Sequence, residues 1–367
     1  MMHLSMNARS AGSGSMRDHV FPWKWNLTDL EKIENNGLTV FSCFSCGGGS
    51  TMGYKLAGYK VLGDCEIDRD MNKLYVTNHH PKHNYLMDIR DFCDTPNDNL
   101  PEELFSLDVL DGSPPCSVFS TAGEREKGWN KEKQFREGQK LQRLDDLFFA
   151  YIDVANKLKP KVVAAENVRG LTVGNAKGYV NEIFHAFKEA GYVPQMFLLN
   201  ACKMGVPQKR SRVFFIAHRD DLDLPKIKMD FNEPEILFGD VRSENGVKIN
   251  PATDTYKLIE HRKPTDRKLS DINLRLNGKD KGFTNYIYSD ERVCGTIASG
   301  GSYFRMKDGE MLSRQDIINV QSFPQDYNFL DQNVQYVCGM SVPPVMMANI
   351  ARQIKLQWFD RYIYNKY

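Results

Sequence analysis

TVFSCFSCGGGSTMGYKLAGYKVLGDCEID, residues 39–68, decides the fold. An apolar run from Thr39 reads as a buried strand. It breaks at Gly47, Gly48 and Gly49, passes into a helix from about Thr51 to Ala57, and closes in a second strand that ends in acids. Strand, glycine turn, helix and strand form the opening unit of an open α/β sheet, and the turn ahead of the helix N-terminus is where such sheets bind nucleotide-like ligands. The three glycines would let the backbone approach a ligand closely. Glu66 follows roughly 20 residues on, at the end of the second strand, where an acid can bind ribose hydroxyls. Asp88, in the MDIR segment after it, is placed to meet an adenine amino group. No Walker-type Lys-Ser/Thr follows the glycines, which argues against a nucleoside triphosphatase.

Outward from this unit the alternation continues. A helix runs through Asn72, Tyr75 and Val76, and a short strand follows at Leu107–Leu110. Leu144, Leu147, Phe148, Tyr151, Ile152, Ala155 and Leu158 recur at helical spacing. KVVAAEN (161–167) reads as a strand, Val180–Ala190 as a helix, and MFLLN and RVFFIAH as strands. The pattern predicts a doubly wound parallel α/β sheet. It fails after about Arg219, where the chain turns polar up to about Asp308, and this stretch reads as a second, smaller domain. PPVMMANIARQIKLQWF, from Pro343, reads as a helix returning to the first. Met1 to about Met16 is small, polar and aperiodic, reads as a tag, linker or leader, and is excluded from fold reasoning.

The bulk numbers are those of an ordinary globular protein of one large and one small domain: 367 residues, 41% hydrophobic and 26% charged. No apolar run approaches the roughly 18–20 residues that span a bilayer, and no signal-peptide core argues for export, so a cytoplasmic protein is expected. Eight cysteines without a framework spacing read as reduced thiols. A net charge of +1 neither demands nor excludes a nucleic-acid partner. Cys43 and Cys46 make a CxxC, but no second pair completes a tetrahedral metal site. His79, His80 and His83 flank Pro81, and a solvated loop is favoured over a metal site.

LDGSPPCSVFS (110–120) is the most informative stretch for chemistry. A strand ends at Leu110, and two prolines fix the backbone so that Cys116 stands at the carboxyl edge of the sheet, where active sites of such folds lie. KVVAAENVRG delivers Glu166 and Asn167 to the same edge, and a carboxylate there is expected to have a raised pKa. VPQKRSRVFFIA places Gln208, Arg210 and Arg212 before another strand. Arg212 can donate to a base carbonyl or anchor the Cys loop; Arg210 reads equally as an exposed charge.

The succession FxxGGG, GSPPC, ENV, QKRSR, a variable region and GMSVPP resembles the DNA cytosine-5 methyltransferase family, from about Thr39 to Trp358. The resemblance implies an S-adenosylmethionine-dependent enzyme of restriction-modification type acting on double-stranded DNA. Cys116 would attack ring carbon 6 of a flipped-out cytosine while Glu166 holds a proton at ring nitrogen 3, with Arg212 completing the catalytic set. The chemistry needs a nucleophile at carbon 6 before carbon 5 can accept a methyl group, and Cys is the strongest available near neutral pH. The cofactor set becomes Phe44, Gly47, Gly48, Gly49, Glu66, Ile67, Asp88, Ile89, Leu147 and Ser341, with no metal. The DNA set becomes Ser120, Asn167, Gln208, Arg210, Arg292, Thr296 and Arg305. Ser117 to about Leu144 would close over the flipped base, with Arg125, Lys127, Lys131, Lys133, Arg136, Lys140 and Arg143 available to phosphates. The departures are a glycine shifted by one within the usual FxGxGG, Ser117 for the usual Gln, and Gly339-Met340 for the usual Gly-Asn.

The implied organisation is an N-terminal extension (1–36), a catalytic domain (37–219 plus 340–367), a target-recognition domain (220–309) and a hinge (310–339) that begins near LSRQDIINVQSFPQDY. His261, Arg262, Lys263, Arg267, Lys268, Arg275, Lys279 and Lys281 give the recognition domain a basic bias. Its stretch Phe283–Arg305 carries glycines with Arg, Asn and Thr, the residues that read base edges; Arg292 and Arg305 are the candidates for guanine, against a polar surface hairpin. Implied partners are duplex DNA, bound as a monomer, and a cognate restriction endonuclease acting separately. A tRNA cytosine-5 methyltransferase and a catalytically inactive DNA-binding relative are the alternatives; intact Cys116, Glu166 and Arg212 argue against the second.

Overall fold

The computed structural model describes residues 19–115, 132–133, 142–143, 146–172, 176–280, 282 and 285–363. Cys116, Ser120 and the proposed closing loop lie outside the described residues, save two short pairs of strand residues, as do Lys281, Phe283 and Thr284 and the leader Met1–Met16.

The apolar runs become strands β1 (Thr39–Cys43), β2 (Lys60–Glu66), β3 (His83–Leu86) and β4 (Val109–Gly112). A two-residue ladder β5 (Glu132–Lys133) and β6 (Gln142–Arg143) stands apart from them. The central sheet is completed by β7 (Val162–Val168), β8 (Tyr192–Asn200) and β9 (Ser211–Arg219), in the order β3-β2-β1-β4-β7-β9-β8. From β3 to β7 every pairing is parallel, as expected. β9 departs from that pattern, running antiparallel to both β7 and β8. The sheet is therefore mixed, because ten residues, 201–210, join β8 to β9, and a parallel return needs a crossover of a dozen or more residues.

Helices cover both faces. α3 (Ile89–Asp94), α4 (Leu147–Leu158) and α5 (Ala176–Glu189) pack on one face, where Phe41, Leu110, Phe148, Tyr151, Phe187 and Phe215 form its core. α1 (Gly49–Leu56) and α11 (Pro344–Ile354) pack on the other, over Val40, Tyr54, Phe214, Met346 and Ile350. The chain continues from α11 into a π-helical stretch, Lys355–Ile363, whose Trp358 is fully buried. Alternation within β1 explains the two layers: Val40 faces one core and Phe41 the other.

α2 (Arg69–His79) meets α9 (Arg314–Val320) and α10 (Val334–Met340) in a third core that also takes Trp25 from the N-terminal segment. Trp25 donates its indole N–H to Ser322 O at 3.0 Å. Beyond β9, α6 (Phe238–Val241), α7 (Asp254–Ile259), α8 (Leu269–Asn277), β10 (Tyr286–Tyr288) and β11 (Tyr303–Arg305) follow. Only part of this stretch has a core of its own, built on Ile259, Leu269, Ile272, Ile287 and Phe304. Leu224, Ile227 and Met229 pack instead into the α1–α11 core. β10 and β11 run parallel, so Phe283–Arg305 is not a hairpin.

Candidate active site

The turn after β1 is strained where the sequence shows no glycine. Phe44 and Cys46 have φ of +54° and +46°, and left-handed backbone at non-glycine residues costs on the order of 1–3 kcal/mol unless the surroundings hold it. Phe44 N donates to Cys65 O and Gly48 N to Ser45 O, at 2.9 and 2.8 Å. Glu66, at the end of β2, accepts Cys46 N at 2.8 Å and Asp68 N at 2.9 Å. A carboxylate offers about four acceptor sites, so each oxygen keeps capacity for a ligand. Burial raises the Glu66 pKa, and backbone hydrogen bonds from Asp68, Cys46 and Ile67 oppose the rise.

Glu66 lines a cleft with about 820 Å³ of open space, whose walls also include Phe44, Ile67, Asp88, Ile89 and Leu147. Six of the expected cofactor residues are thus brought together. Cys46, Met71, Met87, Tyr336 and Met340 complete apolar parts of the wall and were not read from sequence. Met87 directly precedes Asp88, and Met340 had been noted only as a departure.

The glycines are required by packing within the protein. A Cβ on Gly47 would fall 2.6 Å from Val337 Cγ1, on Gly48 2.1 Å from His79 Nε2, and on Gly49 2.2 Å from Val342 O. They let the turn pack against α2, α10 and the start of α11, and none of the three lines the cleft. Ser341 is likewise not part of the wall; its buried hydroxyl donates to Val337 O at 2.8 Å. His79 is no solvated loop residue. It is buried, burial holds its pKa down to about 3, and the neutral ring faces Gly47 O at 3.3 Å. His83 pairs with Glu103. Among the described residues no cluster of three or more His, Cys, Asp or Glu could hold a metal.

Beside the cleft, β4 ends at Gly112, where a Cβ would strike the Tyr151 ring at 2.4 Å. Ser113 and Pro115 then carry the chain along the cleft wall to the position immediately before Cys116. Asn167 Nδ2 donates to Pro114 O at 3.1 Å, and the Asn167 side chain is buried. Asn167 therefore fixes the proline turn. Glu166, on the same strand, pairs with Arg212 of β9, Oε1 to Nε at 3.0 Å. Burial raises the Glu166 pKa, with Arg212, Arg210 and the Ser113 hydroxyl opposing; burial lowers that of Arg212, with Glu166 opposing. The arrangement sets a largely buried carboxyl with a raised pKa beside the turn that leads into Cys116 and beside a cleft with a second acid on its wall, a setting in which a carboxyl can hold a proton against a ligand.

Besides Asn167, three more of the residues read as DNA contacts are turned inward. Gln208, fully buried, donates to Val320 O at 3.3 Å and Gln321 Oε1 at 2.6 Å, and accepts Ile297 N at 3.2 Å. Arg210, 1% exposed, donates to the carbonyls of Ile297, Gly339 and Ser341 at 2.9, 2.7 and 3.0 Å. Arg305, 0% exposed, pairs with Asp308 at 2.7 Å and with buried Asp316 at 3.6 Å. This does not fit the guanine contact expected of Arg305: its side chain forms a buried ion pair that ties β11 to Asp316 of α9. Thr296 is exposed and Arg292 half-buried, so both stay accessible.

A family model for C-5 cytosine-specific DNA methylases matches residues 38–356. The chain belongs to this family. It is an S-adenosylmethionine-dependent enzyme that methylates cytosine in DNA at carbon 5. Among similar methylases, the type II methyltransferase M.NgoPII of Neisseria gonorrhoeae is 28% identical over 351 residues, covering 87% of this chain and 96% of its own. M1.HphI of Haemophilus parahaemolyticus is 27% identical, covering 86% of each chain. The fold matches a prophage-encoded DNA modification methyltransferase of E. coli with a TM-score of 0.63, 16% identity and coverage of 88% and 99% of the two chains. It matches a Spodoptera frugiperda DNMT2 variant with a TM-score of 0.58, 16% identity and coverage of 87% and 99%. These likenesses show that the fold is that of the methyltransferase sheet. Among the described residues no helix of this methylase is long and apolar enough to cross a membrane.

Proposed function

We propose that this methylase acts on a cytosine flipped out of a specific duplex sequence, through a covalent adduct with Cys116. The observation that carries the reading is the Glu166–Arg212 pair at 3.0 Å, tied through Ser113 and Asn167 to the proline turn that leads into Cys116. The Cys116 thiolate adds to ring carbon 6. Glu166 holds a proton at ring nitrogen 3, so the electron pair released by the addition is carried through to carbon 5. The cofactor supplies an electrophilic methyl group. Glu66, with acceptor capacity left on both oxygens, would hold ribose hydroxyls, Asp88 the adenine amino group, and Phe44, Ile67, Ile89 and Leu147 the apolar flanks. Loss of the carbon-5 proton then expels Cys116 and restores aromaticity.

The base must leave the helix for this geometry to reach it. The recognition unit falls between residues 249 and 311, where the small domain has its own core, and Arg292 and Thr296 stay accessible beside it. Monomeric action on DNA and a cytoplasmic site belong to the same reading, as does a separately acting endonuclease, for which the type II methyltransferase relatives are the support.

Duplex DNA carrying 5-fluorocytosine at the target tests the reaction, because fluorine cannot depart as the proton does. Wild-type enzyme should form an adduct stable to denaturing electrophoresis, and Cys116→Ser should form none while still binding cofactor. Turnover by Cys116→Ser at near the wild-type rate would refute the mechanism.

A further inference from the structure

Helix α10 has two working faces. Tyr336 and Met340 line the cofactor cleft. Gln335 and Gly339 grip the segment 298–301, which lies between β10 and β11. Gln335 Nε2 donates to Gly301 O at 2.9 Å and lies 3.4 Å from Ala298 O. A Cβ on Gly339 would sit 2.3 Å from Ser299 N and 2.4 Å from Ala298 C, so helix and segment touch backbone to backbone.

The segment is held from its other side as well. The Tyr303 hydroxyl accepts Ala298 N at 2.8 Å and donates to Gly300 O at 3.3 Å. Arg210 donates to Ile297 O on the segment and to Gly339 O on the helix, at 2.9 and 2.7 Å. Thr296 and Gly300 remain exposed. The backbone around Gly300 is fixed by buried Tyr303 and Arg210 and by partly exposed Gln335, and Gln335 comes from a helix whose next residue, Tyr336, lines the cleft.

We propose that Gln335 is a specificity-determining positioning residue. It sets the backbone of 298–301 against the DNA, and α10 makes that setting respond to the cofactor. The inference rests on the reading that residues 292–302 face the bases. Packing without slack between Gly339 and Ser299 means that a shift of α10 around a bound cofactor displaces the segment. Linkage then requires that bound target DNA change cofactor affinity by the same factor.

The test uses the full chain with Gln335→Glu, which keeps the shape, removes the N–H donors and turns a carboxylate toward two carbonyls. Gln335→Met serves as the neutral version should the first not fold, and Gln335→Lys restores a donor. Relative kcat/KM is measured across a library of single-base variants of the preferred site, and S-adenosylhomocysteine binding is measured with and without duplex. Discrimination at one or two base positions should fall about tenfold in Gln335→Glu and Gln335→Met, the worth of a lost hydrogen bond or two. It should recover in Gln335→Lys. Cofactor affinity without DNA should hold, while the change caused by duplex shrinks. If Thr296→Ala and Arg292→Ala alter site preference and the Gln335 variants do not, this inference is overturned and the recognition reading stands. If none of them alters it, the recognition reading itself fails.

Discussion

Replacing Glu66 by alanine separates what the residue does for the turn from what it does for the cofactor. In the structure its two oxygens each accept one backbone N–H, from Cys46 at 2.8 Å and Asp68 at 2.9 Å. Hydrogen bonds to a charged group are worth about 1.5–3 kcal/mol each. Losing two is partly offset, because the substitution also removes a carboxylate whose burial raises its pKa. A net loss of stability of about 1–3 kcal/mol follows, read as a shifted urea midpoint with unchanged slope. The ribose contact adds an independent loss of about 1.5–3 kcal/mol in binding, so the dissociation constant for S-adenosylmethionine should rise roughly ten- to hundredfold by calorimetry on folded protein. Acid should mimic the substitution. Protonating Glu66 removes acceptor capacity, so wild-type affinity should fall as pH drops through the raised Glu66 pKa, and Glu66→Ala should lose that dependence. Unchanged affinity in a folded Glu66→Ala, or a pH profile that survives the substitution, would refute the ribose assignment.

Two further outcomes follow from buried charge. Burial pushes Asp64 and Asp111 each up to about 7. A folded-state pKa above the unfolded value favours the protonated native protein, so this contribution is present below about pH 4 and is lost as pH rises through about 7. The stability difference between wild type and Asp64→Asn/Asp111→Asn, from urea melts between pH 5 and 8, should therefore move against wild type with rising pH; a flat difference would refute it. Arg305→Ala leaves Asp316, 0% exposed, without its cation, so stability should fall by about 3–5 kcal/mol. Enzyme that still folds should keep its site preference, and a changed preference would restore Arg305 as a base reader.

The parts of this molecule that the sequence made legible are those in which side-chain type and direction coincide. Strand–helix alternation from Thr39 to Arg219 is visible because apolar runs and periodic helices differ in pattern. Glu66 is visible because it ends a buried strand, and Asp88 because it stands between the next strand and a helix. Strand direction leaves no such mark: β9 reads the same whether parallel or antiparallel, and only the short 201–210 connection carried the signal. The arginines misled for a related reason. A sequence shows a charge but not whether it faces water, and Arg305 and Arg210 face carboxylates or carbonyls inside. Asp308, three residues after Arg305, was the available hint.

Two departures from the family pattern, noted separately in the sequence, belong together in space. Cys46 stands where the usual FxGxGG places a glycine, and it holds a left-handed φ of +46°, a conformation that glycine adopts more readily. Cys46 lines the cleft, as does Met340, which replaces the usual Asn. One added thiol and one amide exchanged for a thioether make the same wall more apolar. The thiol does not supply a charge in compensation, since burial pushes its pKa up to about 12. The cleft beside Glu66 is thus lined by an uncharged thiol and a thioether, and in the proposed binding mode the polar anchoring of the cofactor falls to Glu66 and Asp88. That concentration of the polar load is why a single substitution at Glu66 should be felt so strongly.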